Sequence, residues 1–260
     1  MAVYAEVAGE GPAVVLVHEG ICDSRMWDRE MQEWSPEYRL LRVDMRGFGN
    51  SALEPGPFAH ARDLIEALEA HGIERAALVG VSLGGRVALE VALERPELVR
   101  ALVLVAPGLP GHEWSQAMRD AWAEEEAAFE AGDLDAAVEA SLRTWVDGPR
   151  RSPEDVDPEV RARVGDMQRR AYELAEGSDE DDEELLVEDL AQRIGEVQAP
   201  TLVLVGEEDQ PDMHRIAERL EREIPGARRA TIADTAHAPS MERPREFDEL
   251  VLPFLKEHTS

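Results

Sequence analysis

The sequence is short of thiols and of long apolar runs. Cys22 is the only cysteine among 260 residues, which excludes an intrachain disulfide and any zinc site built from several thiolates. No apolar run approaches the roughly 20 residues that a membrane-spanning helix needs. The first residues also lack the basic stretch, apolar run and small-residue cleavage site of a signal peptide. We therefore expect a cytoplasmic protein.

Positive charge is scarce as well. Lys256 is the only lysine, and the formal net charge is −29 at pH 7. Such a field repels the phosphates of nucleic acids and anionic membrane surfaces, so neither is an expected partner. Hydrophobic residues make up 43% of the chain, enough for one large globular domain at this length. The composition leaves the oligomeric state open.

Short apolar runs recur with helical segments between them. None of these runs alternates polar and apolar residues, which is typical of strands buried on both faces of a parallel sheet. The strand-like runs are residues 13–17, 40–44, 76–80, 101–106 and 201–206. Helical periodicity over residues 61–72 and 84–96 separates some of them, so we predict an α/β fold with a mostly parallel, doubly wound sheet. The N-terminal AVYAEV, followed by Gly9 and Gly11, predicts one arm of an antiparallel hairpin at the sheet edge.

The alternation of strand and helix stops for a long segment. Residues 111–196 contain no strand candidate and are rich in Glu, Ala and Arg. We predict that they form a helical lid, called here the insertion, between core segments 1–110 and 197–260. The acidic run 178–184 within it predicts a solvated loop.

Three of the five tryptophans lie in the insertion, namely Trp114, Trp122 and Trp145. Aromatic side chains in such a lid can line an apolar substrate pocket. They can equally form the hydrophobic core of the lid itself, and the sequence leaves both interpretations open.

The strongest chemical motif is Gly80-Val81-Ser82-Leu83-Gly84. It directly follows a predicted strand and precedes a predicted helix, the context that a nucleophilic serine on a sharp turn requires. The crowding of such a turn needs small residues at Gly80 and Gly84. The helix N-terminus adds a positive dipole end beside developing negative charge. We therefore predict Ser82 as the nucleophile.

A serine hydroxyl needs a neighbouring base to react near neutral pH. Of the seven histidines, His237 lies in the loop TAHAPSMERP after a strand-like run, which would place it at the same sheet edge as Ser82. We predict it as general base and then acid. A base of this kind needs an orienting carboxylate, and the loop after residues 201–206 offers Asp209, our choice, with Asp212 second.

Five motifs in this order resemble those of the α/β-hydrolase fold family. LVHEG resembles its oxyanion loop, DMRGFGNS its Asp-x-Arg-Gly-x-Gly-x-Ser segment and GVSLGG its nucleophile elbow. GEEDQPD is similar to its acid loop and TAHAPSMERP to its histidine loop, with Glu242 and Pro244 in their usual places. Within the family, the chain resembles enol-lactonases of the 3-oxoadipate type and small carboxylesterases.

The resemblance implies an oxyanion hole made by backbone N–H groups. Leu83 matches one donor and Gly20 the second, with Ile21 as the alternative. The family usually has His-Gly where this chain has His18-Glu19. We expect Glu19 to turn outward or to form a structural ion pair; if it faced the site, its charge would oppose the oxyanion.

Other polar residues near these motifs have expected structural roles. We expect His18 to bond backbone around the oxyanion turn and Asp44 to fix the loop that contains Arg46. Cys22 is expected to be a small packing residue. Arg25 and Arg86 could receive a substrate carboxylate, but a surface or packing role is the favoured interpretation for both.

These features together predict a serine hydrolase that cleaves a small ester or lactone without a metal or organic cofactor. Three alternatives stay open. The same fold could hydrolyse a carbon–carbon bond or carry out cofactor-free perhydrolysis. The scaffold could also be a non-catalytic ligand-binding module, or an interaction protein that uses its acidic insertion.

Overall fold

The computed structural model describes residues 3–175 and 183–259, which form a seven-stranded sheet flanked by helices. The strands are β1 (Ala5–Ala8), β2 (Ala13–Val17), β3 (Arg39–Val43), β4 (Ala76–Val81), β5 (Val99–Val105), β6 (Thr201–Gly206) and β7 (Arg228–Ile232). The helices are α1 (Asp28–Glu33), α2 (His60–Ala70), α3 (Leu83–Glu94), α4 (Gln116–Glu130), α5 (Leu134–Leu142), α6 (Pro158–Ala175), α7 (Leu190–Arg193), α8 (Pro211–Glu223), α9 (Pro239–Glu242) and α10 (Pro244–Thr259). Short 3₁₀ turns cover Ser24–Trp27, Pro96–Leu98, Pro153–Asp155 and Ile194–Glu196, and a π-helical turn covers Arg143–Asp147.

The strand order is β1-β3-β2-β4-β5-β6-β7, and every described pair except β1–β3 is parallel. All side chains of β4 and β6 are buried, as continuous apolar runs between two layers of helices require. The predicted α/β class and all five predicted strands are confirmed to within two residues at their ends. Parallel order also places the loops after β4, β6 and β7 at one edge of the sheet.

The N-terminal strand corrects one prediction. β1 lies at the sheet edge as expected, but it pairs with β3, Ala5 opposite Val43, and makes no hairpin with β2. Gly9 and Gly11 have φ values of 75° and 121°. A Cβ on Gly9 would lie 2.3 Å from the Ser35 carbonyl oxygen. The two glycines therefore let the chain pass against the segment before β3, where any side chain would collide.

The insertion begins after β5 and ends before β6. Its described residues, 111–175 and 183–196, form α4 to α7 and short turns without a strand. Most of the predicted acidic loop, residues 178–182, lies outside the described residues. The division into core and lid stays a prediction. No helix of the described chain is long and apolar enough to cross a membrane.

Candidate active site

Ser82 lies on the turn between β4 and α3, with φ 51° and ψ −110°. This conformation is costly for a residue with a Cβ and is found mainly where the surroundings enforce it, often at functional sites. The Ser82 N–H donates to the Val105 carbonyl at 2.9 Å, which ties the turn to the neighbouring strand. Ser82 itself is only half-buried. The turn thus presents this serine at the sheet edge.

The two glycines of the motif are needed because backbone lies against them. A Cβ on Gly80 would lie 2.3 Å from the Gly84 carbonyl oxygen. A Cβ on Gly84 would lie 2.4 Å from the Val17 oxygen and 2.5 Å from the His18 oxygen. Neither glycine has a positive φ, so close approach, and not dihedral freedom, is what excludes side chains here.

His237 and Asp209 form a buried pair on the loops after β7 and β6. His237 Nδ1 lies 2.9 Å from Asp209 Oδ2. An ionised carboxylate only accepts hydrogen bonds, so Nδ1 carries the proton and Nε2 of the neutral ring has a free lone pair. Among the described residues, Nε2 is buried and has no hydrogen-bond partner. It is therefore available to accept a proton from a group in the site.

Two opposing effects set the pKa of His237. Burial alone would lower it, but the charge and hydrogen bond of Asp209, with smaller contributions from Glu19 and Glu242, outweigh that cost. The net result is a pKa above the ordinary value of 6.5. Asp209 therefore both orients the imidazole and stabilises its protonated form.

The histidine loop is held in place by side chains from two directions. Glu242 accepts hydrogen bonds from the Thr235 hydroxyl and the Ala236 N–H, both at 2.8 Å. Its other oxygen pairs with Arg151 of the insertion at 2.7 Å. The His237 N–H donates to the Trp145 carbonyl at 3.2 Å, and the two rings lie 4.4 Å apart between centroids. The insertion thus helps to position the imidazole.

Asp212, the second candidate for the acid, lies elsewhere. Its Oδ1 accepts from the Ser115 N–H at 3.0 Å and lies 3.1 Å from His112 Nε2 and 2.6 Å from Arg215. Ser115 is the N-cap of α4. Asp212 therefore ties the start of the insertion to α8, and Asp209 is the carboxylate that contacts His237.

Ser82 and His237 open into one cavity of about 220 Å³ between the sheet edge and the insertion. The lining residues are Gly20, Ile21, Ser82, Trp122, Glu125, Trp145, Gln168 and His237. Trp122 and Trp145 therefore line the predicted pocket, whereas Trp114 packs on Trp122 from outside the lining, with ring centroids 4.8 Å apart. Trp122 and Trp145 therefore fit the interpretation as pocket lining, and Trp114 fits the interpretation as packing within the insertion.

Free backbone donors lie beside Ser82. Within the described chain, the N–H groups of Leu83, Gly20 and Ile21 donate to no backbone or side-chain acceptor. A Cβ built on Gly20 would lie 3.7 Å from Leu83 Cβ, so the two residues are adjacent. Unpaired N–H groups at a helix N-terminus suit an anion or a polarised carbonyl oxygen.

His18 and Asp44 have the structural roles expected from the sequence. His18 Nε2 accepts the Met45 N–H at 2.9 Å, so Nδ1 is protonated and donates to the Glu19 carbonyl at 2.7 Å. Asp44 accepts the N–H groups of Ser24 at 2.7 Å and Asn50 at 2.8 Å. Together they fix the turn after β2 and the loop after β3.

Glu19 overturns the expectation of an outward or ion-paired side chain. It is fully buried. Within the described chain, the Cys22 thiol donates to its Oε1 at 3.0 Å, and its Oε2 has no hydrogen-bond partner. Burial raises the pKa of Glu19 to about 7, against the lowering effects of His237 and the Cys22 hydrogen bond. Cys22 is accordingly a hydrogen-bond donor to Glu19 as well as a packing residue.

Replacing Glu19 with glutamine should flatten the dependence of stability on pH. A carboxyl with a pKa of about 7 in the folded chain and 4.5 in the unfolded chain stabilises the fold fully below pH 4.5 and loses that contribution as pH rises through 7. The loss is about 3 kcal/mol. From about pH 4 to about pH 8, urea unfolding should show that the free energy of unfolding falls by about 3 kcal/mol more in wild type than in Glu19→Gln.

The exposed Glu10 provides the control for this measurement. Glu10→Gln should follow the wild-type curve, because its carboxyl is in water in both states. If the free energy of unfolding depended on pH in the same way in wild type and Glu19→Gln, Glu19 would not be a buried ionisable group.

Arg25 and Arg86 are already paired. Arg25 binds Asp23 at 2.7 Å, and Arg86 binds Glu90 at 2.8 Å. Neither lines the cavity, so the structural interpretation of both is confirmed. Within the part of the chain that the structure describes, no cluster of three or more His, Cys, Asp or Glu side chains is placed to hold a metal ion.

A serine turn after β4, with a His–Asp pair on the loops after β6 and β7, defines the class of α/β hydrolases. Residues 12–244 match the family model described as the alpha/beta hydrolase fold, so the chain belongs to this family.

Individual relatives span nearly the whole chain. A pimeloyl-(acyl-carrier protein) methyl ester esterase of Aeromonas hydrophila is 29% identical and covers 98% of this chain and 100% of its own length. A putative 2-succinyl-6-hydroxy-2,4-cyclohexadiene-1-carboxylate synthase of Bacillus subtilis is 30% identical, and the match covers 96% of this chain and 93% of that protein. The structure of the enol-lactonase of Burkholderia xenovorans superposes with a TM-score of 0.79 at 23% identity. The superposition covers 98% of this chain and 96% of the enol-lactonase chain. The predicted likeness to enol-lactonases and esterases is confirmed.

Sequence reasoning missed several residues of the site. Arg151 and the carbonyl of Trp145 support the histidine loop, and Glu125 and Gln168 line the cavity. All four lie in the insertion, far along the chain from Ser82 and His237. Glu125 stands in a run of three glutamates, and no pattern in that run distinguishes the one that turns inward.

Proposed function

We propose that the protein is a serine hydrolase that cleaves a small carboxylic ester or lactone through an acyl-enzyme. Ser82 attacks the carbonyl carbon while His237 Nε2 takes its proton, and Asp209 stabilises the imidazolium. The leaving alcohol then receives that proton. In the second half, His237 activates a water molecule that releases the acid and restores Ser82.

The developing oxyanion would be bound by the N–H groups of Leu83 and Gly20. Their lack of other acceptors and their adjacency support this role, and Ile21 remains the alternative second donor. Each such donor contributes about 3 kcal/mol of barrier lowering in acyl transfer. No residue of the proposed mechanism requires a metal or cofactor.

One observation carries the proposal. A strained, half-exposed serine and the free Nε2 of an Asp-bound histidine line the same cavity. The methyl ester esterase activity named for the Aeromonas relative supports an ester as substrate. At about 220 Å³ the cavity suits a small substrate, and we propose that the insertion acts as a lid over it. The cytoplasmic location is proposed from composition alone.

Product analysis tests the reaction class. The purified protein is incubated with a panel of short esters, lactones and diketones, and the products are identified by mass spectrometry. Release of an acid and an alcohol supports ester hydrolysis. Cleavage of diketones alone would support carbon–carbon hydrolysis, the alternative reaction on this fold. Binding without any product would support a ligand-binding module.

Activity should fall as pH is lowered. Protonated His237 cannot accept the Ser82 proton, and its pKa is raised above 6.5 by Asp209 against the effect of burial. The kcat/KM profile from about pH 5 to about pH 8 should therefore drop about tenfold per pH unit below a midpoint that lies above 6.5. A flat profile would contradict His237 as the base.

A further inference from the structure

The face of the cavity formed by the insertion carries unpaired polar atoms. Glu125 of α4 and Gln168 of α6 line the same cavity as Ser82 and His237. Glu125 Oε2 and Gln168 Oε1 are buried and have no hydrogen-bond partner in the described chain. Gln168 is only 4% exposed. These two acceptors belong to different helices and meet at one cavity.

Leaving such atoms unpaired is unfavourable. A buried acceptor without a partner loses the hydrogen bonds that it would make in water, and a charged one loses more. The other oxygen of Glu125 is already occupied, since the Tyr172 hydroxyl donates to Oε1 at 2.5 Å. That bond holds the carboxylate in place, and Oε2 makes no hydrogen bond within the described chain. A substrate group with O–H or N–H donors would satisfy both acceptors.

The charge around the cavity has one sign. Its lining contains a glutamate and, within the described chain, no arginine or lysine. Arg25 and Arg86, which the sequence offered as receptors for a substrate carboxylate, are paired with acids. An anionic substituent would meet the Glu125 carboxylate and, in the described lining, no cation, and partial burial would weaken the screening of this repulsion by water.

The cavity lining is also aromatic. Trp122 and Trp145 line the cavity, with ring centroids 6.4 Å apart, and Trp145 lies against His237. Aromatic faces cover short hydrocarbon segments well. The cavity thus combines the serine and histidine, an apolar wall and an acceptor pair contributed by the insertion.

We propose that Glu125 and Gln168 form a subsite that binds a hydrogen-bond donor, a hydroxyl or ammonium group, at the end of the substrate distant from the ester. The subsite discriminates against substrates that carry a carboxylate there. This inference rests on the proposed function, because it assigns the specificity of the same site.

The test uses nitrophenyl esters with acyl chains of equal length that end in methyl, hydroxyl, ammonium or carboxylate. Wild type should hydrolyse the hydroxyl and ammonium esters with kcat/KM at least about tenfold above the methyl ester, and the carboxylate ester should be the poorest. Glu125→Gln should lower the preference for ammonium over methyl about tenfold, and Gln168→Leu should lower the preference for hydroxyl. The exposed neighbour Glu126 gives the control Glu126→Gln, which should change neither ratio.

Matched methyl ketones separate this inference from the proposed function. They carry the same four terminal groups and a carbonyl but no leaving group, so calorimetry measures binding without turnover. Tighter binding of the hydroxyl and ammonium ketones supports the subsite even if no ester is hydrolysed. The absence of ester hydrolysis would by itself overturn only the proposed function. Equal binding of all four ketones, or ratios unchanged in Glu125→Gln and Gln168→Leu, would overturn the subsite.

Discussion

Ser82→Ala should reduce ester hydrolysis by about 10⁴-fold or more, because the remaining residues can bind the ester but cannot form the acyl-enzyme. The fold should be retained, since alanine and serine bear the same cost at φ 51° and the Ser82 N–H bond to Val105 involves only backbone. Steady-state kinetics with an activated ester, together with circular dichroism and urea unfolding, measure both quantities.

Ser35 provides a matched control for that substitution. It is partly exposed, and within the described residues its hydroxyl makes only a 3.4 Å bond to the Gln32 carbonyl. Ser35→Ala should therefore retain wild-type turnover. If Ser82→Ala also retained turnover, another group would have to be the nucleophile and the proposed mechanism would be wrong.

The second large effect concerns the fold of the turn. Gly84→Ala would place a Cβ 2.4 Å from the Val17 oxygen and 2.5 Å from the His18 oxygen, both of them backbone atoms at the end of β2. The first turn of α3 would have to move away from β2, so the free energy of unfolding should fall by about 3 kcal/mol or more. The activity should fall with it, because Leu83 and Gly20 would separate. Urea unfolding and ester kinetics measure the two effects.

Gly195 tests whether this loss is specific to the turn. Its φ is not positive, and an added Cβ would lie 3.5 Å from the nearest atom, the Glu223 oxygen, an ordinary contact distance. Gly195→Ala should leave stability unchanged or raise it slightly through the entropy of the unfolded chain. Equal unfolding curves for Gly84→Ala and Gly195→Ala would show that the turn tolerates a side chain.

The sheet and the serine turn could be predicted because their signals are local. Continuous apolar runs mark strands buried on both faces, and the two glycines around Ser82 reflect contacts within a few residues and with the adjacent strand. The position of β1 was harder. Gly9 and Gly11 suggested a hairpin, whereas the structure uses them for close approach to a segment some 25 residues further along the chain.

Contacts made by the insertion could not be inferred from the sequence. Whether Glu125 points into the cavity depends on the packing of α4 against α6, and neighbouring glutamates look alike in the sequence. Glu19 shows the same limit. A glutamate is almost never fully buried without a partner, so an outward or paired side chain was the reasonable expectation. The turn after β2 nevertheless encloses it beside Cys22.

The most direct test of the account is mass spectrometry after treatment with a fluorophosphonate, which reacts with serines activated as nucleophiles. The account predicts one label per chain, located by peptide mapping at Ser82 and absent from Ser82→Ala. Labelling at a different serine, or none on a folded wild-type sample, would contradict the proposal that His237 and Asp209 activate Ser82.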